Sequence, residues 1–281
     1  MISTPVAALV LLAALMHAGW NFLVKAGSDR LLDTMGVAVG ASLIAACLLP
    51  FVPLPAPASW PWLAATVCVH VGYFTLLVAT YNRTDLSVAY PLMRGTAPLI
   101  VAAACPLLGE PVSGGLVLGV VMVGCGILLP ALLALRGDVI SMASVGLALA
   151  NAAVIALYTI LDGFGVRVSG NALSYTLWLF FLNCWSILAI ALWRRSTGAV
   201  LAHFRRHWLR TGFGAVMTIG SYGIALWAMT QAQLAAVAAL RETSVVFATI
   251  LGAVALKEAF GRWRILGATA VAAGIAVVRF G

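Results

Sequence analysis

The chain has 281 residues, of which 63% are apolar and 9% charged, and its formal net charge is +8. A soluble protein carries about a quarter charged residues, so this composition excludes a soluble globular domain and indicates an integral membrane protein. Only α-helices and closed β-barrels satisfy the backbone polar groups of a chain in lipid. The apolar runs lack the period-two alternation of a membrane β-barrel, which leaves helices. The predicted fold class is therefore all-α and integral to the membrane.

Ten apolar runs, each near the roughly 20 residues of a membrane-crossing helix, follow one another along the chain. The predicted transmembrane helices, here called spans 1 to 10, cover residues 5–24, 33–52, 60–81, 86–108, 112–134, 139–161, 171–193, 208–230, 233–256 and 262–279. The first run does not have the pattern of a signal peptide, because no basic region precedes it and it continues through His17 and Trp20.

Basic residues are unevenly divided between the two faces of the predicted membrane protein. The loops after spans 1, 3, 5, 7 and 9 carry twelve of the 16 lysines and arginines, whereas the opposite face has Arg167 and Arg279, and the spans contain Arg94 and Arg241. By the positive-inside rule, we expect the odd-numbered loops to be cytoplasmic and both termini to lie outside, in a bacterial-type inner (cytoplasmic) membrane. The positive charge is then a topology signal, and nucleic acid is not an expected partner.

An internal repeat relates the two halves of the chain. The stretch "GEPVSGGLVLGVVMVGCGILL" matches "KEAFGRWRILGATAVAAGIAV" at an offset of 148 residues, which pairs Glu110 with Glu258 and Gly126 with Gly274. The same offset relates spans 3 to 5 to spans 8 to 10. The chain is therefore predicted to consist of two repeats of five helices.

Five is an odd number of membrane crossings, so the second repeat must enter the membrane from the face opposite to the first. The predicted domains are residues 1–136 and residues 137–281, related as inverted repeats. Inverted repeats recur in secondary transporters, because exchanging the conformations of two similar halves opens one central site to each face in turn.

Arg94 is the residue least expected inside an apolar span. It follows Asp85, the preceding charge, by nine positions, which at about 1.5 Å per helical residue is roughly 13 Å into the hydrocarbon. The repeat offset pairs it with Glu242, and a charge buried in lipid needs a partner, so we predict that the two residues face each other across a central cavity. The pattern fits either a substrate-binding pair or a purely scaffolding ion pair.

Further candidates for substrate contact are polar or aromatic residues inside the spans. They are His17, Trp20, Asn21, His70, Tyr73, Tyr90, Tyr158, Tyr222 and Trp227, in addition to Arg94, Arg241 and Glu242. His17, Trp20 and Asn21 share one helix face, a pattern that also fits a satisfied interior histidine. Pro91 and Pro98 disturb helical hydrogen bonding in span 4, which predicts either a gating bend or a kink without a mechanistic role.

Several motifs resemble a known family. "HAGWNFLVKAG" in span 1, "YPLMRGTAPLI" followed by "LLGEPVS" in span 4, and "LRETSVVFATILGAVALKEAFGRW" in spans 9 and 10 are similar to the EamA-type permeases of the drug/metabolite transporter superfamily. The resemblance covers essentially the whole chain. It implies a ten-helix basket with a central cavity lined by spans 1, 3, 4, 6, 8 and 9, with spans 5 and 10 packed together. Relatives export amino acids, organic acids, drugs and other small metabolites.

These features predict a secondary transporter that exports a small polar or amphipathic metabolite. Two arginines against one glutamate leave the predicted site at +1, which favours a substrate with a carboxylate, such as an amino acid or organic acid. Glu242 is the candidate carrier if protons couple export, and the protein is expected to be a monomer or homodimer.

The sequence has no nucleotide-binding, metalloprotease or esterase motif, so we expect neither enzymatic activity nor a bound cofactor or metal. Two alternatives remain. One is a multidrug exporter of lipophilic cations, in which Glu242 binds the cation. The other is a membrane-embedded lipid-modifying enzyme that uses His17, His70 and Glu242.

Overall fold

The structure, a computed structural model, describes residues 2–81, 83, 86–134, 141–256 and 262–280. These residues are mostly helical, and no strand occurs among them. The predicted repeat boundary at residues 136 and 137 and the predicted repeat partner Glu258 lie outside the described residues.

Eleven α-helices are present in the described part of the chain. They are α1 (Thr4–Lys25), α2 (Arg30–Leu48), α3 (Trp60–Tyr81), α4 (Leu86–Ala104), α5 (Gly114–Ala134), α6 (Met142–Arg167), α7 (Ala172–Arg194), α8 (Thr197–Gln231), α9 (Leu234–Arg241), α10 (Thr243–Leu256) and α11 (Arg262–Phe280). Spans 1 to 8 correspond to α1 to α8, span 9 to α9 and α10 together, and span 10 to α11.

The lengths of these helices confirm the all-helical, multi-span fold class. Within the described residues, nine segments are long and apolar enough to cross a membrane, and a tenth apolar helix, Gly114–Pro130, is shorter. Helix α2 begins three residues before its predicted start, because the Asp29 carboxylate accepts hydrogen bonds from the Leu31 and Leu32 amides at 3.1 and 3.2 Å. Such capping satisfies backbone donors that the first helical turn leaves unpaired.

Helix α8 differs most from its predicted bounds. It begins at Thr197 rather than at residue 208, so most of the predicted loop before span 8 is helical. The Ser196 side chain caps it by accepting a hydrogen bond from the Ala199 amide at 3.3 Å, and the helix bends at His207, where φ is −115° and ψ is 18°. The arginines of this segment lowered its hydropathy below that of a span, but arginine does not oppose a helix.

Predicted span 9 is divided at Glu242, a turn residue between α9 and α10. The Glu242 amide donates to the Ala239 carbonyl at 3.1 Å, and the Thr243 hydroxyl donates to the Leu240 carbonyl at 2.6 Å. Bonds to the third preceding residue tighten the chain at this point. The division puts the Glu242 carboxylate at a helix break, which is where discontinuous helices of transporters place their site residues.

Helix packing follows the repeat. The repeat pairs α1 with α6 and α3 with α8. Helix α1 packs on α8, and the repeat partners of these two helices, α6 and α3, also pack on each other. Helix α2 packs on its own repeat partner α7, and α5 packs on its own repeat partner α11. This is the twofold pattern that two structurally similar repeats produce.

Helices α5 and α11 contact each other at glycines of both helices. Gly119 faces Gly274 and Gly126 faces Gly267, so residue numbers rise along one helix as they fall along the other. A Cβ built on Gly267 would lie 2.5 Å from the Gly126 carbonyl oxygen, and one built on Gly119 would lie 2.8 Å from the Gly274 carbonyl oxygen. The two helices are antiparallel, as an inverted repeat requires, and small residues allow their close approach.

Candidate substrate site

The predicted pair of Arg94 and Glu242 forms at the centre of the helix bundle. Arg94 Nε lies 3.0 Å from Glu242 Oε2, and the residues are 7% and 5% exposed. These two atoms are an ion pair by distance, but they are not aligned as a hydrogen bond and have no hydrogen-bond partner among the described residues. Arg94 Nη2 donates a long hydrogen bond of 3.4 Å to Ser244 Oγ. The pair is therefore buried but imperfectly satisfied.

A small cavity adjoins this pair. Its lining comes from α4, α6 and α9 and consists of Arg94, Ala97, Pro98, Val101, Ile155, Tyr158, Thr159, Ala238, Arg241 and Glu242. The cavity measures about 10 Å³, close to the minimum space for one water molecule. The two halves of the chain meet here around a site that leaves little free space.

Helix α6 contributes a carboxylate that sequence reasoning missed. Asp162 is fully buried and accepts hydrogen bonds from the Tyr175 hydroxyl at 3.1 Å and from the Tyr222 hydroxyl at 2.5 Å. The Tyr222 ring in turn lies under Arg241, whose guanidinium carbon is 4.9 Å from the ring centroid. Asp162, Tyr222 and Arg241 therefore form a connected series from α6 through α8 to α9.

The predicted site charge of +1 counted Arg94, Arg241 and Glu242, which do line the cavity, and left out Asp162, which contacts Tyr222. Span 6 was predicted to end at residue 161, which left Asp162 in a loop, whereas α6 continues to Arg167. With Asp162, the two arginines face two carboxylates. A lone carboxylate close to the end of an apolar run was the available signal, since an ionisable residue inside a membrane is a functional candidate by default.

Three predicted aromatic residues form a cluster beside the cavity. The His70 ring stacks on the Tyr158 ring with centroids 4.5 Å apart, and Tyr73 meets both rings edge-on at 6.0 and 5.7 Å. His70 Nδ1 is 2.8 Å from the Thr66 carbonyl oxygen, a contact that satisfies this ring nitrogen if it is protonated. The cluster offers aromatic edges to an amphipathic solute, and Tyr158 lies directly on the cavity wall.

The predicted face of α1 also forms. Trp20 Nε1 donates to His17 Nδ1 at 3.3 Å, and Asn21 Nδ2 donates to the His17 carbonyl at 2.8 Å. Arg94 and Arg241 both lie within electrostatic range of His17. The contacts within this face satisfy its polar groups locally, so Trp20 and Asn21 support the position of His17.

The remaining predicted site residues differ in how close they lie to the cavity. Trp227 is 37% exposed on the outside of α8 and does not line the cavity of the described structure. Tyr90 lies within electrostatic range of Arg94 and Glu242. Pro91 and Pro98 both lie inside the continuous helix α4, and Pro98 reaches the cavity wall.

Comparisons with known proteins agree with this architecture. The model of the EamA-like transporter family matches residues 142–280, which correspond to α6 through α11. Chains of solved structures that match number 28. One of them, described only as "Crystal structure of protein", aligns over 98% of this chain and 98% of its own, with a TM-score of 0.74 at 19% identity; at this identity the likeness shows the fold. No curated protein matches the chain.

The apolar helices define a multi-pass membrane protein. Residues 142–280, the second half of the chain, match the EamA-like transporter family, a family of the drug/metabolite transporter superfamily. Together with the apolar helices, this match indicates a membrane transporter, a class whose partners are a small-molecule substrate and the lipid bilayer.

Proposed function

We propose that this transporter exports a small polar or amphipathic metabolite that carries a carboxylate, such as an amino acid or an organic acid, by alternating access. The observation that carries the proposal is the cavity wall, where Arg94 and Arg241 lie beside Glu242 and Tyr158. Guanidinium groups bind carboxylates through charge-assisted hydrogen bonds, and aromatic rings suit the apolar part of an amphipathic solute.

Alternating access in this proposal is an exchange of conformation between residues 1–136 and residues 137–281, acting as inverted repeats. The paired helix contacts and the antiparallel crossing of α5 and α11 support it. Pro91 and Pro98 are the proposed points at which α4 bends. Glu242 is the proposed proton carrier, and the active unit is a monomer or a homodimer.

A bidentate ion pair holds one end of the site closed. Arg167 Nη1 and Nη2 lie 3.2 and 3.1 Å from the two Glu110 carboxylate oxygens, and Arg167 also donates to the Met229 and Ala232 carbonyls at 2.7 and 2.9 Å. Glu110 accepts the Leu234 amide hydrogen bond at 2.7 Å. These contacts, here called the Glu110 clasp, join the start of α5 to the ends of α6 and α8 and the start of α9.

A second group of ion pairs lies at the opposite end, where α2 meets α7 and α8. Asp33 is paired with Arg210 and, at 3.0 Å, with His203, and Asp29 is 3.0 Å from Arg195. Burial opposes ionisation of Asp29, but hydrogen bonds from the Leu32 amide and from Arg195 bring its pKa below the ordinary value. By the charge bias, we propose that this end is cytoplasmic, that both termini are outside, and that the membrane is the inner membrane.

The substrate class is tested by ligand-dependent thermal stabilisation of the purified protein against amino acids, organic acids and organic cations. A ligand that binds only the folded state stabilises it by about 2.7 kcal/mol at 100 times its dissociation constant. We expect one or more carboxylates to raise the Tm, in a concentration-dependent manner.

The same panel separates the proposal from its alternative. Stabilisation by lipophilic cations, with no response to carboxylates, would contradict the proposed substrate and favour a multidrug exporter. A matched ester of each active carboxylate serves as the control, since it keeps the carbon skeleton and lacks the negative charge.

A further inference from the structure

Arg241 and Arg94 line the same cavity, but their surroundings differ. Arg94 has Glu242 at 3.0 Å and Ser244 at 3.4 Å. Arg241 is 8% exposed and has no hydrogen bond or ion pair with any of the described residues; its close contact is the Tyr222 ring. Glu242 and Asp162 lie within electrostatic range of Arg241, but neither forms an ion pair with it in the described structure, so the hydrogen-bond donors of its guanidinium remain available to an anionic ligand.

The Tyr222 ring that contacts Arg241 is itself positioned by a hydrogen bond from its hydroxyl group. Its hydroxyl donates to Asp162 at 2.5 Å, and the same carboxylate accepts the Tyr175 hydroxyl at 3.1 Å. A carboxylate that receives two hydroxyl donors acts as the acceptor of both, the role that an ionised group fills. Asp162 thus fixes the plane of the ring, and the ring fixes the guanidinium by a cation–π contact.

The negative charge of Asp162 does not replace a ligand at Arg241. Tyr222 contacts both groups, and no hydrogen bond or ion pair joins Asp162 to Arg241 in the described structure, so Asp162 offsets the positive charge without occupying the hydrogen-bond donors of the guanidinium. Those donors have the forked geometry that matches a carboxylate in a bidentate manner.

We propose that Arg241, rather than Arg94, receives the anionic group of the substrate, and that Tyr222 and Asp162 are positioning residues that aim Arg241 into the cavity. This proposal rests on the proposed function, because it assigns the binding group within the same site. Arg94 then remains the partner of Glu242 while the site is empty.

The first test compares two tyrosines that donate to the same carboxylate. Apparent Kd values for L-glutamate, succinate and benzoate are taken from concentration-dependent shifts of Tm. Tyr222→Phe is expected to raise Kd by about 5- to 10-fold, the range for one lost hydrogen bond. Tyr175→Phe removes the other hydrogen bond to Asp162 but does not contact Arg241, so its Kd should change by less than about 2-fold.

Substitutions of Arg241 supply the second arm. Arg241→Gln is expected to raise Kd by about 10-fold or more, the range for a hydrogen bond to a charged group. Arg241→Lys should recover part of the affinity, because lysine keeps the charge and loses the fork. Equal effects of Tyr222→Phe and Tyr175→Phe, or full affinity in Arg241→Gln, would overturn the assignment.

A third arm needs no substrate and so separates this proposal from the proposed function. The unmodified, unliganded protein is treated with phenylglyoxal, which modifies arginines, and the order of modification is read by mass spectrometry. Arg241 should react before Arg94, which its ion pair protects, and the reverse order would overturn the proposal. A lack of response to every carboxylate in the thermal assay, combined with preferential labelling of Arg241, would reject the carboxylate substrate and keep Arg241 as the anion receptor.

Discussion

Glu242→Gln is expected to lower the free energy of unfolding by about 3–5 kcal/mol, the range for breaking a buried ion pair by removing one partner. The residue is 5% exposed and its carboxylate lies 3.0 Å from Arg94. The substitution keeps the size of the side chain and leaves two buried guanidinium groups without their nearest anion. Thermal and denaturant unfolding of the purified protein measure the effect.

The double variant Arg94→Gln with Glu242→Gln is the control for this prediction. Removing both charges leaves no uncompensated ion, so most of the lost stability should return. A double variant as unstable as the single one would show that the loss comes from packing rather than from an unpaired Arg94.

Gly267→Val is expected to separate α5 from α11 and to cost about 3 kcal/mol, the upper part of the usual range for overpacking. A Cβ on Gly267 meets the backbone carbonyl of Gly126 at 2.5 Å, and backbone cannot move aside as a flexible side chain can. Unfolding measurements in the same detergent, together with the yield of monodisperse protein, report the loss.

Gly212→Val on α8 is the matched control, because a Cβ at Gly212 would have no atom within 4 Å. A substitution without such a contact should stay within about 0.5 kcal/mol of the unmodified protein. A similar loss in both variants would contradict the close approach of α5 and α11.

The parts of the fold set by the bilayer were predictable from the sequence. Apolar runs of the required length predicted the spans, because the hydrocarbon thickness determines how many apolar residues a helix needs. The repeat offset also predicted the contact of Arg94 with Glu242, because equivalent positions near a twofold axis approach each other. The family resemblance implied that spans 5 and 10 pack together, and α5 and α11 do so at glycines, which allow two backbones to approach closely.

Features that depend on the local ends and surroundings of helices were not predictable in the same way. Asp162 lies one residue beyond the predicted end of span 6, so hydropathy placed it in water although it is fully buried. The break at Glu242 has no proline to mark it, whereas α4 continues through Pro91 and Pro98. The contact of Arg241 with the Tyr222 ring is a property of three-dimensional packing, and no local sequence pattern predicts it.

The proposed alternating access requires that the two ends of one site open in turn. Its most direct test is the accessibility of a cysteine at Ala97, a small residue on the cavity wall, in a variant whose five native cysteines are replaced. Membrane-impermeant thiol reagents are applied to each face of reconstituted vesicles, and labelling rates are measured with the Glu110 clasp intact and with Glu110→Gln. Asp33→Asn, which weakens the ion pairs at the opposite end, is the matched variant.

Glu110→Gln is expected to raise the labelling rate from the clasp face and to lower it from the other face, while Asp33→Asn is expected to do the reverse. Rates that rise together on both faces would describe a pore, and rates that change on neither face would mean that these contacts do not close the site. Either result would contradict alternating access through the Glu110 clasp and the Asp33 ion pairs.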